Sequence, residues 1–151
     1  MNLSKILLPH RFQKFGWILF LPFAVLTFLC AFYEFEFSWL EMSPGTLKDV
    51  FNFEDRNLTN ELAIIGLLAS LFLISFSKEK EEDEYIQKLR IDSILLACYG
   101  YFLLNVIGTV VFYGVDYLSF IFFNMFSIPV LFILRFRWVM FKQERNLGLS
   151  L

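Results

Sequence analysis

The chain has little of the side-chain chemistry on which catalytic and metal sites depend. Its 151 residues include one histidine, His10, and two cysteines, Cys30 and Cys98. None of the three has a further Cys or His at metal-ligand spacing. Both cysteines lie inside apolar runs, where we interpret them as packing residues, and His10 is interpreted as a surface or interfacial imidazole. The sequence therefore predicts no metal site and no cofactor.

Charged residues are also absent from four long runs, while hydrophobic residues make up 58% of the chain, against about 45–50% in ordinary globular proteins. A helix of about 20 residues crosses the roughly 30 Å of bilayer hydrocarbon. Because only helices and closed barrels satisfy the backbone in lipid, and strand-like alternation is absent, we predict an all-α integral membrane four-helix bundle. The predicted spans are approximately residues 15–33, 62–78, 93–114 and 117–138.

The distribution of Lys and Arg predicts the orientation of these spans, because cytoplasmic flanks carry the excess of both residues. Eleven of the 13 lie in the N-terminal tail, in the segment between spans two and three, and in the C-terminal tail. The other two, Lys48 and Arg56, lie in the outer segment, residues 34–61. We therefore predict a protein of the bacterial inner (plasma) membrane with both termini in the cytoplasm. A net charge of −2 provides no basic field for nucleic acid.

The segment between spans two and three, residues 78–92, is the most densely charged part of the chain. It contains no Gly, Pro or Asn, and Lys78 with Glu82 and Glu84 with Lys88 stand at i, i+4 spacing. We predict that helices two and three extend past the membrane surface, helix two through Lys78, and meet in a tight charged turn. Such a turn is either a solvated face that fixes orientation or a site for a protein partner. The candidate partner-binding residues are Lys78, Lys80, Glu81, Glu82, Asp83, Glu84, Lys88 and Arg90.

Part of this segment resembles a known sequence pattern. The run FSKEKEEDEYI at residues 76–86, followed by LRIDS at residues 89–93, resembles a motif of uncharacterised small four-span membrane proteins of the Bacteroidota. The early LPHRF at residues 8–12 and the late NMF at residues 124–126 are similar to the same pattern. No activity is attached to that family, so the resemblance implies the four-span architecture and not a chemistry.

Polar residues within the spans are few, and no charged residue lies near the middle of a span. Asn105 and Asn124 both lie roughly 10–12 Å below the outer turn at about 1.5 Å per residue, and we predict a structural hydrogen bond between them. Asp92 and Arg135 share a depth at the inner end and are predicted to form an ion pair. Pro22 and Pro129 are predicted to kink helices one and four. Membrane enzymes need ionisable or nucleophilic groups in the bilayer, so the sequence predicts a protein that is not an enzyme.

Two functions of different classes follow from these features. The first is an accessory or signalling subunit that contacts a protein partner through its charged cytoplasmic turn. The alternative is a small transporter or channel. Because four helices enclose too little space for a pore in one copy, the alternative requires a homo-oligomer in which Asn105, Asn124 and Ser127 line a polar path.

Overall fold

The computed structural model describes residues 6–40, 57–80 and 82–148, so most of the predicted outer segment lies outside the described residues. Within the described ranges the chain forms five α-helices and a short 3-10 helix, with no β-strand. The prediction of an all-α protein is therefore confirmed for this part of the chain. The helices are α1 (His10–Tyr33), the 3-10 helix (Ser38–Leu40), α2 (Thr59–Phe76), α3 (Glu84–Val111), α4 (Val115–Asn124) and α5 (Ser127–Gly148).

Three of these helices, α1, α2 and α3, are long and apolar enough to cross a membrane. A fourth span is present if α4 and the part of α5 through Gln143 are counted together, since the pair passes the same test as a unit. The two helices of this pair meet at a bend of 41°. Length and composition therefore agree with an integral membrane protein of three or four spans.

The bend between α4 and α5 follows from Pro129. Proline lacks a backbone N–H, and its ring clashes with the carbonyl group four residues earlier, which here belongs to Met125. The helix ends at Asn124 and restarts at Ser127, so the interruption falls where the proline requires it. The predicted kink in the fourth span is present, as a break between two helices.

The chain divides into two compact units, each described here separately. The first comprises Lys14–Leu73 and contains most of α1 and α2. Gly66 of α2 lies so close to the Phe23 ring of α1 that a Cβ atom on the glycine would fall 2.2 Å from the ring. Thr27 donates a hydrogen bond to the Ala63 carbonyl oxygen at 3.3 Å. Because later residues of α1 meet earlier residues of α2, the two helices run antiparallel.

The second unit comprises Met1–Gln13 with Ile74–Leu151, and in it α3 runs antiparallel to α4 and α5. Near its end, Gly108 packs against the Phe120 ring of α4. Near its start, the Arg90 guanidinium lies 4.8 Å from the centre of the Phe136 ring of α5. The core of this unit is formed by the buried residues Ile74, Ile86, Leu89, Ala97, Phe126, Phe132, Ile133 and Phe136.

The connection between α2 and α3 differs from the predicted helical extension. The prediction that the second helix continues through Lys78 is wrong, because α2 ends at Phe76. At this point the N-terminal segment forms backbone hydrogen bonds with the end of α2 and the residues after it. The Leu8 N–H donates to the Phe76 carbonyl at 2.9 Å, and the Lys78 N–H donates to the Leu8 carbonyl at 2.8 Å. These bonds take the backbone groups that another helical turn would use.

The start of α3 agrees with the prediction of a helix that begins before the third apolar run. The helix begins at Glu84, ahead of the predicted span at residues 93–114. Asp83 caps it, since its carboxylate accepts a hydrogen bond from the Ile86 N–H at 2.8 Å and an acceptor at this position satisfies a free helix-end donor. The charged residues at the start of α3 are thus held on a regular helix.

Candidate functional site

A buried ion pair joins the start of α3 to the connection that precedes it. Arg90 is only 3% exposed, and its guanidinium lies 3.3 Å from the Glu82 carboxylate. The same guanidinium donates hydrogen bonds to the carbonyl oxygens of Ser75, at 2.8 Å, and Ser77, at 3.2 Å. Phe136 covers its face, an arrangement in which the ring quadrupole attracts the cation. Arg90 therefore fixes the end of α2 against α3.

A second ion pair lies beside the first. Arg137 of α5 stands 3.2 Å from the Glu79 carboxylate, which also accepts a hydrogen bond from the Gln13 side-chain amide at 2.6 Å. The backbone N–H of Glu79 donates to the Glu82 carboxylate at 2.9 Å and so connects the two pairs. We call these five residues, Gln13, Glu79, Glu82, Arg90 and Arg137, the ion cluster.

His10 adds a further link between the N-terminal segment and the connection. Its Nδ1 atom lies 3.0 Å from the Lys78 carbonyl oxygen. A carbonyl oxygen can only accept, so this hydrogen bond requires a hydrogen on Nδ1. The imidazole that the sequence placed at a surface or interface is half-buried and holds the α2–α3 connection in place.

Burial changes the set of residues that can meet a partner. Glu82 and Arg90, which the sequence assigned to the partner-binding surface, have side chains only 7% and 4% exposed, because they neutralise each other inside the fold. Lys78 is half-buried, and Glu81 lies outside the described residues. The predicted residues that stay exposed are Lys80, Asp83, Glu84 and Lys88.

Three charged residues form an exposed line along α3. Glu84, Lys88 and Asp92 are all exposed, and their i, i+4, i+8 spacing puts them on one side of the helix. Tyr85 beside them is 48% exposed, whereas Ile86 and Leu89 face the core. We call Glu84, Lys88 and Asp92 the charged stripe. Its sequence of acid, base and acid is presented on a helix that the ion cluster anchors.

The predicted ion pair between Asp92 and Arg135 is not present among the described residues. Asp92 and Arg135 are both exposed, and the ion pairs found among the described residues are Arg90 with Glu82 and Arg137 with Glu79. Arg90, two positions before Asp92, has a buried side chain, whereas the side chain of Arg137, two positions after Arg135, is 38% exposed. The prediction did not take into account the rotation of each helix about its axis, which leaves Asp92 and Arg135 exposed.

The two asparagines also have other partners. Asn105 donates to the Tyr101 carbonyl oxygen one turn earlier on α3, at 2.8 Å. Asn124 accepts a hydrogen bond from the Ser127 hydroxyl at 2.5 Å, across the break between α4 and α5. The predicted hydrogen bond between the two amides is thus replaced by local bonds, of which the second bridges the bend.

Comparison with known proteins gives no relative. No family model, curated protein or solved structure matches the chain.

The ion cluster has a structural role, because its paired charges hold parts of the fold together. Each of its carboxylates is paired with a guanidinium group, so each charge in the cluster faces one of opposite sign. Among the described residues, no group of three His, Cys, Asp or Glu side chains could hold a metal ion. One oxygen of Glu82 and the Arg90 Nε are buried with no hydrogen-bond partner in the described part of the chain, a cost that persists only where the rest of the pair is well fixed.

Proposed function

We propose that the chain is a non-enzymatic, multi-pass protein of the bacterial inner membrane that acts as an accessory or signalling subunit, through protein contacts at the charged stripe. In this proposal α1, α2, α3 and the bent α4–α5 pair are four spans of one bundle, with both termini in the cytoplasm. The excess of Lys and Arg at one set of span ends, 11 residues against two, supports this orientation.

The observation that carries the proposal is the contrast between the two faces at the start of α3. On one face, Arg90 and Leu89 are buried and hold the helix in place. On the other, Glu84, Lys88 and Asp92 are exposed at regular spacing. An ordered pattern of alternating charge gives orientation and specificity to a protein contact, because a partner with the complementary pattern is attracted and others are repelled.

Reversal of one charge in the stripe tests this proposal. We expect Glu84→Lys to reduce recovery of a partner roughly tenfold, since a loss of about 1.4 kcal/mol in binding changes the dissociation constant by that factor. The measurement is affinity capture of the tagged chain from native membranes, with quantitative mass spectrometry of the proteins that accompany it.

Asp116→Lys is the matched control, because Asp116 is also an exposed acid in the first turn of a helix, α4. The control should keep the partners of the unmodified chain. Retention of every partner by Glu84→Lys, at unchanged yield, would contradict the proposal. Neither substitution alters the ion cluster, so insertion and folding should be equal in the two variants.

A second candidate function, a small oligomeric transporter or channel, is favoured by one observation. The break between α4 and α5 carries the hydrogen-bonded polar side chains of Asn124 and Ser127 within residues 117–134, which include no charged residue. Interrupted helices within a membrane are tolerated where they are buried in protein or line a water-filled cavity. This function requires an oligomer, so a purified chain that sediments only as a monomer in lipid nanodiscs would rule against it.

Membership of the four-span Bacteroidota family stays a prediction. The resemblance at residues 76–93 supports the proposed architecture, and it adds no activity to either candidate function.

A further inference from the structure

The second half of α5 carries exposed cations and aromatic rings on one face. Arg135, Trp138, Lys142 and Arg145 follow one another at intervals of three, four and three residues, which places them along one side of a helix. All four are exposed, and Trp138 is 72% exposed. Phe141, on the same side, is 64% exposed. We call Arg135, Trp138, Lys142 and Arg145 the basic stripe.

The opposite face of α5 fixes the direction in which the basic stripe points. Phe132, Ile133 and Phe136 are buried on that face, and Arg137 forms its ion pair with Glu79. The three cations of the basic stripe have no ion pair or hydrogen bond in the described part of the chain. The charge of Arg137 is thus paired with Glu79, while Arg135, Lys142 and Arg145 are exposed and have no such partner in the described part of the chain.

The position of the basic stripe along the chain fits a membrane surface. The uncharged part of the α4–α5 pair ends at Leu134, so Arg135 is the first charge after the apolar segment. From Arg135 to Arg145 the helix rises about 15 Å at 1.5 Å per residue. The first part of this length covers the headgroup layer. Most of the remainder lies within about 8–10 Å of the charged membrane surface, the distance over which its field acts in salt solution. Trp rings are enriched at this level because they are amphipathic.

We propose that the basic stripe is a binding site for the headgroups of anionic phospholipids. Its cations match the negative charge of the headgroup phosphates, and clusters of Lys and Arg directly beyond a membrane span attract anionic lipid. The exposed rings of Trp138 and Phe141 favour a lipid surface over a soluble phosphate compound, since such a compound would leave the rings in water. The inference rests on the proposed crossing of the membrane by the α4–α5 pair, but it concerns a surface separate from the charged stripe.

Quenching of Trp138 fluorescence by brominated lipids tests the proposal. With Trp17→Phe and Trp39→Phe, Trp138 is the only tryptophan of the full chain. The protein is reconstituted in equal mixtures of phosphatidylglycerol and phosphatidylcholine, in which one lipid or the other is brominated. We expect the quenching of Trp138 to show that phosphatidylglycerol is at least fivefold enriched over phosphatidylcholine beside the ring. Each cation near an anionic surface contributes about that factor. Salt at 1 M should reduce the preference, since the screening length falls to about 3 Å.

Two matched variants assign the preference to the basic stripe. Loss of the three stripe cations, in Arg135→Gln with Lys142→Gln and Arg145→Gln, should abolish it. A control that also removes three exposed cations, none of them in the charged stripe, should keep it: Arg11→Gln, Lys14→Gln and Lys80→Gln.

Three results would overturn the inference, and they differ in meaning. Equal quenching of Trp138 by both brominated lipids would mean that the stripe meets lipid without selecting charge, which leaves the proposed membrane crossing intact. Absence of quenching by either lipid would mean that the stripe does not meet the bilayer. A preference that survives loss of the three stripe cations would likewise contradict the assignment.

Discussion

Replacement of Arg90 by methionine is expected to lower the free energy of unfolding by about 3–5 kcal/mol, the usual cost of removing one partner of a buried ion pair. The substitution leaves the Glu82 carboxylate buried without its cation. It also removes the two donors that Arg90 gives to the carbonyl oxygens of Ser75 and Ser77. The measurement is equilibrium unfolding of the purified chain in mixed micelles, followed by circular dichroism.

Lys88→Met is the control for this prediction. Lys88 lies on the same helix and is exposed, so its replacement should change stability by no more than about 0.5 kcal/mol. The double variant Arg90→Met with Glu82→Leu should be more stable than Arg90→Met alone, because the uncompensated charge is then gone. If Arg90→Met costs no more than Lys88→Met, the ion cluster does not hold this part of the fold.

A methyl group on Gly108 is expected to destabilise the contact between α3 and α4 by about 1–3 kcal/mol, the range for overpacking in a close-packed interior. In Gly108→Ala the new Cβ would lie 2.2 Å from Cε1 and 2.3 Å from Cζ of the Phe120 ring. That ring is also stacked on Phe112, with centroids 5.3 Å apart. To admit the methyl group, the ring must leave this stack or the two helices must separate. The change is measured by the same unfolding experiment.

Gly100→Ala provides a matched comparison on the same helix. Its added Cβ would meet one atom, Cδ1 of Leu131, at 2.9 Å, and the end of a leucine side chain can rotate away at little cost. We expect the Gly100 variant to lose less stability than the Gly108 variant. In a Phe120→Leu background the cost of Gly108→Ala should fall, because the ring that obstructs the methyl group is absent. Equal costs at the two glycines would show that the Phe120 ring does not set the helix separation.

Much of the helical architecture could be predicted from where charge is absent. A long run without charged residues is a candidate membrane span, and in lipid a helix satisfies the hydrogen bonds of its backbone. The approximate positions of the apolar helices therefore follow from the sequence alone. The same holds for the bend of the fourth apolar segment, since the effect of Pro129 on the residue four positions earlier is local. The cap at Asp83 is local too, as its acceptor reaches the N–H three residues later.

The end of α2 could not be predicted in this way, because its cause is distant in the sequence. Ser77 and Lys78 have no helix-breaking residue beside them, and local propensity favours continuation. The helix stops because the N-terminal segment binds there, and the bond between His10 and Lys78 joins residues 68 positions apart. A contact between residues so far apart in the sequence cannot be inferred from local sequence patterns.

The sequence prediction did not include the ion cluster, although the periodicity of α3 could have indicated that Arg90 is buried. The buried residues Ile86, Leu89, Ser93 and Ala97 recur at helical spacing, and Arg90 lies on the same face. Asp92 has a suitable depth and charge, but it lies on the exposed side. A prediction from depth and charge alone therefore paired Asp92 with Arg135, which are both exposed. The periodicity of α3 would have indicated Arg90 as the charged residue on the buried face.

Single-cysteine labelling of intact cells tests whether α3 and the α4–α5 pair each cross the membrane with their cationic ends inside the cell. After Cys30→Ser and Cys98→Ser, one cysteine is placed in turn at Lys80, Asp116 or Arg145, all of which are exposed. A membrane-impermeant maleimide should label the Asp116→Cys chain directly, and the Lys80→Cys and Arg145→Cys chains only after permeabilisation. Labelling of positions 80 and 116 from the same side of an intact membrane would contradict the proposed topology.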